Sequence, residues 1–222
     1  MITKGKLYIV PTPIGNLKDM TFRAIEVLNQ VDYILAEDTR TSKPLLQHYH
    51  ITTPLKSYHA FNEHTVSHTI LKNLLEGQTL ALMADAGTPA ISDPGYLIIK
   101  RCIENNIPVE CLPGPTAFVP ALVCSGKPIH HFLFIGFLPA KKGRQSKLQE
   151  IAQFPYTIVL YESPHKLLKT LEDLQTLFGS EKPISISREI SKLYEEHIRG
   201  PLHTVIQHFQ VHPPKGEFVI VI

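Results

Sequence analysis

The sequence is poor in cysteine, nearly balanced in charge and without a long apolar run, and each scarcity removes a class of protein. Cys102, Cys111 and Cys124 are odd in number and lack Cys-x-x-Cys spacing, which argues against a disulfide framework and a cysteine-rich zinc site. They read as buried free thiols. A formal net charge of +2 is too small to announce a nucleic-acid partner by itself. No stretch approaches the roughly 18 apolar residues of a membrane span, and residues 1–6 lack the apolar region of a signal peptide. The expectation is no membrane contact and a cytoplasmic location. There is no G-x-G-x-x-G after the first predicted strand, no G-x-x-x-x-G-K-[ST] and no H-E-x-x-H, so ordinary dinucleotide, P-loop and zincin chemistry lose their sequence basis.

What is present is a folded chain of 222 residues, 43% hydrophobic and 19% charged, in proportions close to globular averages. Charge is unevenly placed: residues 1–118 hold 10 Lys and Arg against 11 Asp and Glu, and residues 119–222 hold 12 against 9. A polyanion contact would therefore lean on the second half. Short β-branched runs at 7–10, 33–36, 80–84 and 109–112 alternate with helical spacing at 22–30, 65–75 and 96–105, the pattern of a parallel sheet built from crossover units. Pro113-Gly114-Pro115 breaks it, and 116–125 reads as an apolar helix. This places two α/β domains at 1–115 and 116–222. The second, with strands predicted at 132–135, 156–161, 184–187 and 218–222 and helices near 147–153, 166–178 and 202–209, alternates less regularly and predicts a mixed sheet.

In open α/β sheets ligands lie beyond the carboxyl ends of strands. The loops there are Pro11-Thr12-Pro13-Ile14-Gly15-Asn16, the run from Asp85 to Gly95, and Pro113-Gly114-Pro115-Thr116-Ala117. Proline and glycine this dense suit a rigid backbone cradle for a small molecule. Glu37, Asp38 and Arg40 follow the second strand, and with Asp85 and Asp93 they read either as a general-base or ribose-binding cluster or as loop ion pairs. His59, Glu63 and His64 come nearest to a metal cluster but lack a third-ligand motif, and no metal is expected. Lys141, Lys142, Arg144 and Lys147 form a basic cluster able to reach phosphate. Phe132, Phe134 and Phe137 nearby read as core positions. Arg188 and Glu189, with Lys192, Glu195, Glu196 and Arg199, form a charged group after another predicted strand.

The segments VPTPIGNLKDMTFRA, ILAEDTR, ADAGTPAISDPG, LPGPTA, GFLPAKKGR, YESPHKLL, REISKLYEE and KGEFVIVI, in this order over nearly the whole chain, resemble the ribosomal RNA small subunit methyltransferase I family of the tetrapyrrole methylase superfamily. AEDTR and DAGTPAISDPG are its most specific parts. The resemblance implies a two-domain tetrapyrrole methylase-like fold and a homodimer. The activity it implies is 2′-O-methylation of a cytidine ribose in small-subunit (16S) ribosomal RNA, free or in the 30S subunit, with S-adenosyl-L-methionine in the cleft between domains. It assigns donor binding to Pro11 and Gly15, to Gly87, Thr88, Pro89, Ala90 and Ile91, to Thr116 and Ala117, and to Tyr161; Asp85 is counted with them. The sequence departs from related ones at Thr88, where an acidic residue is frequent, at Ala60 and at Ser191. It also stops soon after GEFVIVI, so a contact made by a C-terminal extension in longer relatives is not expected.

A sulfonium methyl needs an oxygen nucleophile aligned with the carbon–sulfur bond, and that oxygen is weak while protonated. Glu37, Asp38, Arg40, Glu189 and Lys192 are the expected catalytic residues, Lys192 as a base only if burial depresses its pKa. Two other functions fit parts of the pattern: a small-molecule methylase acting on a tetrapyrrole-like acid, and a non-catalytic ribosome-associated binder.

Overall fold

A computed structural model describes residues 4–222 and divides the chain into two compact units, Met1–Thr116 and Ala117–Ile222. The first contains β1 (Leu7–Val10), α1 (Phe22–Gln30), β2 (Tyr33–Ala36), α2 (Thr39–His48), β3 (Leu55–Ser57), α3 (Glu63–Leu75), β4 (Leu80–Met83), α4 (Tyr96–Glu104) and β5 (Val109–Cys111). The strands form one wholly parallel sheet in the order β3-β2-β4-β1-β5.

Successive side chains on a strand point to opposite faces, and both faces of this sheet are covered, which explains the unbroken apolar runs. Ile34, Ala36, Ala81 and Met83 pack in a cluster with Ala24, Val27 and Leu28 of α1 and Leu46 of α2. Tyr33, Leu35, Leu80 and Leu82 join Ile70 and Leu74 of α3 and Ile98 of α4 on the other face. Each fully buried aliphatic chain contributes about 1.5–3 kcal/mol. Helix α1 starts where Thr21 accepts a hydrogen bond from Ala24 N at 3.1 Å, satisfying an otherwise orphaned donor.

The second unit contains α5 (Phe118–Val123), β6 (Phe132–Phe137), α6 (Arg144–Ala152), β7 (Thr157–Glu162), α7 (Leu167–Phe178), β8 (Pro183–Arg188), β9 (Glu196–Pro201), α8 (Leu202–Val211) and β10 (Phe218–Val221). Its sheet runs β6-β7-β10-β8-β9, with β6 and β7 parallel and the remaining pairs antiparallel. Helices α6, α7 and α8 cover one face through Leu148, Ile151, Leu171, Leu174, Val205 and Phe209.

Sequence pattern passed over α2, β3 and β9. Helix α2 opens Thr-Arg-Thr-Ser and carries Pro44 inside it, so neither propensity nor apolar spacing marks it. Strands β3 and β9 are sheet edges with few buried side chains. The thiol expectation is corrected in part: all three cysteines are free, but only Cys102 is buried, and Cys111 and Cys124 are exposed. Phe132 and Phe137 are exposed too, the latter by 57%, rather than core residues.

Candidate active site

At the carboxyl end of the first sheet, the loops after β1, β4 and β5 are fastened to one another. Thr12 N donates to the Gly87 carbonyl at 2.9 Å and Gly87 N returns a bond to the Thr12 carbonyl at 3.0 Å. The buried Thr12 hydroxyl donates to the Ala84 carbonyl at 3.0 Å, and Thr88 Oγ1 donates to the Pro115 carbonyl at 3.0 Å. Gly114 lies so close to Pro11 that an added Cβ would stand 2.7 Å from the proline Cβ. Gly87 has φ +81°, and the non-glycine residues Ala90 and Ser92 are held at +69° and +67°. Backbone in this region is strained for an L-residue and persists where its surroundings over-determine it, commonly at ligand sites. Of the expected donor-binding residues, Pro11, Gly87 and Thr88 are thus brought into one edge; Pro89 is buried next in sequence, Gly15 is exposed just beyond the edge, and Ala90, Ile91 and Thr116 are half-buried.

Beside this edge, at the ends of β2, β3 and β4, lies an open pocket of about 400 Å³ lined by Glu37, Asp38, Thr39, Arg40, Ser57, His59, Phe61 and Asp85. The carboxylates differ in state. Asp38 caps α2 by accepting from Arg40 N at 2.8 Å and holds the same residue's guanidinium at 2.6 Å. Those side-chain and backbone bonds depress its pKa to about 2. Asp38 and Arg40 therefore form a helix-capping ion pair in which both carboxylate oxygens of Asp38 accept from Arg40, bonds that favour the charged form of the acid. Glu37 is pushed up by burial and then by the charge of Asp85, with His59 opposing. Asp85 is pushed up by burial, although its Oδ1 accepts from Asp38 N at 3.2 Å. Asp93 is raised to about 6 by burial and by repulsion from Glu37 and Asp85. Sequence reasoning had the acids but missed Ser57 and Phe61, which arrive on an edge strand and the turn after it. Among the described residues, no group of three or more His, Cys, Asp or Glu is placed to hold a metal.

In the second unit Tyr161 packs against Phe134 and Phe137, with ring centroids 5.0 and 5.6 Å apart. Ala117 is half-buried just before α5. Lys141 and Lys142 are exposed on the turn leading into α6, and Lys147 pairs with Glu150 at 2.6 Å. Arg144 does not join them. Its side chain is buried, 2.7 Å from Asp173, with further bonds to Thr170 Oγ1 at 2.9 Å and the Pro139 carbonyl at 3.3 Å. The expectation that it reaches phosphate is corrected: its donors are spent inside the fold. Glu189, at φ +50°, accepts from Lys192 Nζ at 2.8 Å and from Glu217 N at 2.9 Å, and Lys192 also meets Glu217 at 2.8 Å. Burial lowers the Lys192 pKa, but these carboxylate bonds outweigh it and the net shift is upward. Lys192 is thus held as the cationic partner of Glu189 and Glu217, and the pair shapes the turn after β8.

A parallel first sheet with rigid loops at its carboxyl end, joined in sequence to a mixed second sheet, defines a methylase fold, and the family model for tetrapyrrole (corrin/porphyrin) methylases matches residues 6–206. The chain is 52% identical to the ribosomal RNA small subunit methyltransferase I of a Synechocystis species, over 98% of this chain and 78% of that one. It is 47% identical to the protein of that name from Halalkalibacterium halodurans, over 99% and 76%. The crystal structure of uroporphyrin-III-C-methyltransferase from Thermus thermophilus superposes with a TM-score of 0.66 at 20% identity, covering 98% of this chain and 94% of that one. The chain belongs to the ribosomal RNA small subunit methyltransferase I family.

Proposed function

We propose that the protein transfers a methyl group from S-adenosyl-L-methionine to the ribose 2′-oxygen of a cytidine in small-subunit ribosomal RNA. The observation that carries this reading is the adjacency, on one sheet edge, of a fastened backbone cradle and a carboxylate pocket joined through the loop after β4. Two glycines support a donor cradle here: Gly87 presents backbone where a side chain would stand, and Gly114 permits the contact with Pro11 that closes the edge. Pro11, Gly15, the run from Gly87 to Ile91, and Thr116 hold the donor in this reading.

When bound, the donor supplies a methyl on positively charged sulfur, so that the oxygen–methyl bond forms as the carbon–sulfur bond breaks and its electron pair stays on sulfur. The protein's own task is to orient the ribose and take its proton. Glu37 is the proposed general base: it lines the pocket, and burial and the Asp85 charge move its affinity for a proton toward that needed near neutral pH. Asp85 fixes the loop after β2 through Asp38 N. Lys141, Lys142 and Lys147 contact RNA phosphates, while Glu189 and Lys192 hold the turn after β8 in shape. In this reading the protein acts in the cytoplasm as a homodimer. Among the described residues no helix is long and apolar enough to cross a membrane.

The deciding experiment supplies methyl-labelled donor with small ribosomal subunits lacking this methylation, and in parallel with tetrapyrrole acids. Label on a ribose 2′-oxygen of the RNA is the expected result. Label on the tetrapyrrole alone, or on neither, rejects the reading.

A further inference from the structure

Phe61 is 97% exposed and lies at the mouth of the carboxylate pocket. Isolated surface aromatics are common, but this one is held in place. Tyr58, three residues earlier, is fully buried and donates to Glu63 Oε2 at 3.2 Å. Asn62 accepts from His59 N at 2.8 Å and donates to the Ser57 carbonyl at 3.3 Å, while Asn62 N and Glu63 N both donate to the His59 carbonyl, at 3.0 and 2.9 Å. The turn is thus tied on both sides of the exposed ring. His59 adds a second signal: its ring stands 6.0 Å from that of Phe61, and its Nδ1 is buried without a hydrogen-bond partner in a residue that lines the pocket.

We infer that Phe61 is the stacking platform for the base of the acceptor nucleotide, one lifted out of helical stacking, whose ribose then lies among Glu37, Ser57 and Asp85. This rests on the function proposed above and adds the residue that seats the acceptor. The chemistry agrees at each end of the pocket. An aromatic face stacks on a base whatever its sequence context, and carboxylates accept from ribose hydroxyls or from the exocyclic amine that distinguishes cytosine from uracil. A volume of about 400 Å³ is within the range of small-ligand pockets. A base paired and stacked within a helix offers no free face to an aromatic ring, whereas single-stranded and looped-out bases do, which is why an unstacked nucleotide is the fitting occupant.

The test compares wild type, Phe61→Ala, Phe61→Leu and Phe61→Trp in steady-state methylation of small ribosomal subunits that lack the modification. Donor affinity by calorimetry, melting temperature and sedimentation are measured on the same proteins. Loss of a base–aromatic stack is expected to raise KM for the subunits at least about fivefold in the Ala and Leu variants. Trp, which restores the π-face, returns KM toward wild type, whereas Leu, which restores only apolar bulk, does not. Donor affinity, melting temperature and oligomeric state stay unchanged. Wild-type KM in Phe61→Ala overturns the inference, as does full rescue by Leu. A shift in sedimentation or donor affinity overturns it too, since Phe61 would then serve a protein contact or the donor. If the wild-type protein leaves the subunits unlabelled, the proposed function fails first and this inference with it.

Discussion

Thr12 and Gly87 exchange two backbone hydrogen bonds, of 2.9 and 3.0 Å, across loops separated by most of the first unit's sequence. This short bridge sets the distance between the loop after β1 and the loop after β4, and Gly114 against Pro11 sets the next one. Glycine at these positions answers to different demands. Gly87 needs its positive φ, whereas Gly114 needs the absence of a Cβ.

Gly114→Ala is therefore expected to spread the cradle without unfolding the unit, since residue 114 is exposed. Calorimetry with S-adenosyl-L-methionine should show affinity reduced by about tenfold, equivalent to ~1.4 kcal/mol, with a melting temperature within a few degrees of wild type. Unchanged affinity would show that the contact with Pro11 is irrelevant to donor binding.

Glu37→Gln preserves shape and removes the proton acceptor. Single-turnover methylation should slow by at least about a hundredfold, the lower end of what a general base supplies, with donor affinity unaltered. Wild-type Glu37 has a raised pKa, so the rate should rise with pH as its carboxyl ionises, and that acidic limb should vanish in the variant. A variant that keeps the limb assigns it to another group.

Asp93→Asn probes stability. The folded pKa of Asp93, about 6, stands above the ordinary value of 3.8. The folded state therefore holds a proton that the unfolded state has released, and stability falls as pH rises from about 4 to 6. After discounting for solvent, the Asn variant should be more stable than wild type by about 1 kcal/mol at pH 8 and nearly equal below pH 4. Denaturant melts at the two pH values give the comparison, and a gain confined to acid pH would reverse the sign and refute the assignment.

Arg144 and the lysines beside it should separate cleanly. Arg144→Ala leaves Asp173 without its partner and is expected to destabilise by about 3 kcal/mol. Replacing Lys141 and Lys142 by Ala should leave stability unchanged and lower the salt dependence of RNA binding by about two phosphate contacts. Equal loss of stability in both proteins would contradict the burial difference described above.

Much of this arrangement is legible in the residues. Strands β1 and β2 and helix α1 begin and end where apolar spacing places them, because both sheet faces are buried and the helix carries an apolar stripe. The loops after β1, β4 and β5, which the structure fastens together, announce themselves through proline and glycine. Composition is silent where a side chain has two equally good destinies. Arg144 and Lys142 are two positions apart, yet α6 begins between them and sends the guanidinium toward Asp173 while the ammonium stays in solvent. Asp38 and Arg40 look like reactive groups in sequence and become a cap only because α2 begins between them. Phe61 was invisible as a site residue, since spacing does not tell an exposed ring from a buried one when the strand before it is a three-residue edge.

The position of β4, paired to β1 on one side and β2 on the other, has a thermodynamic consequence. Its trailing loop places Asp85 in the carboxylate pocket and, after Ala86 alone, Gly87 in the bond to Thr12, the two places that the proposed function gives to acceptor and donor. In the proposed function the two ligands lean on segments one residue apart, so their affinities are expected to be linked. Whatever factor the donor imposes on RNA affinity, RNA must impose on the donor, and the demethylated donor, occupying the same cradle, inherits that reciprocity during product release.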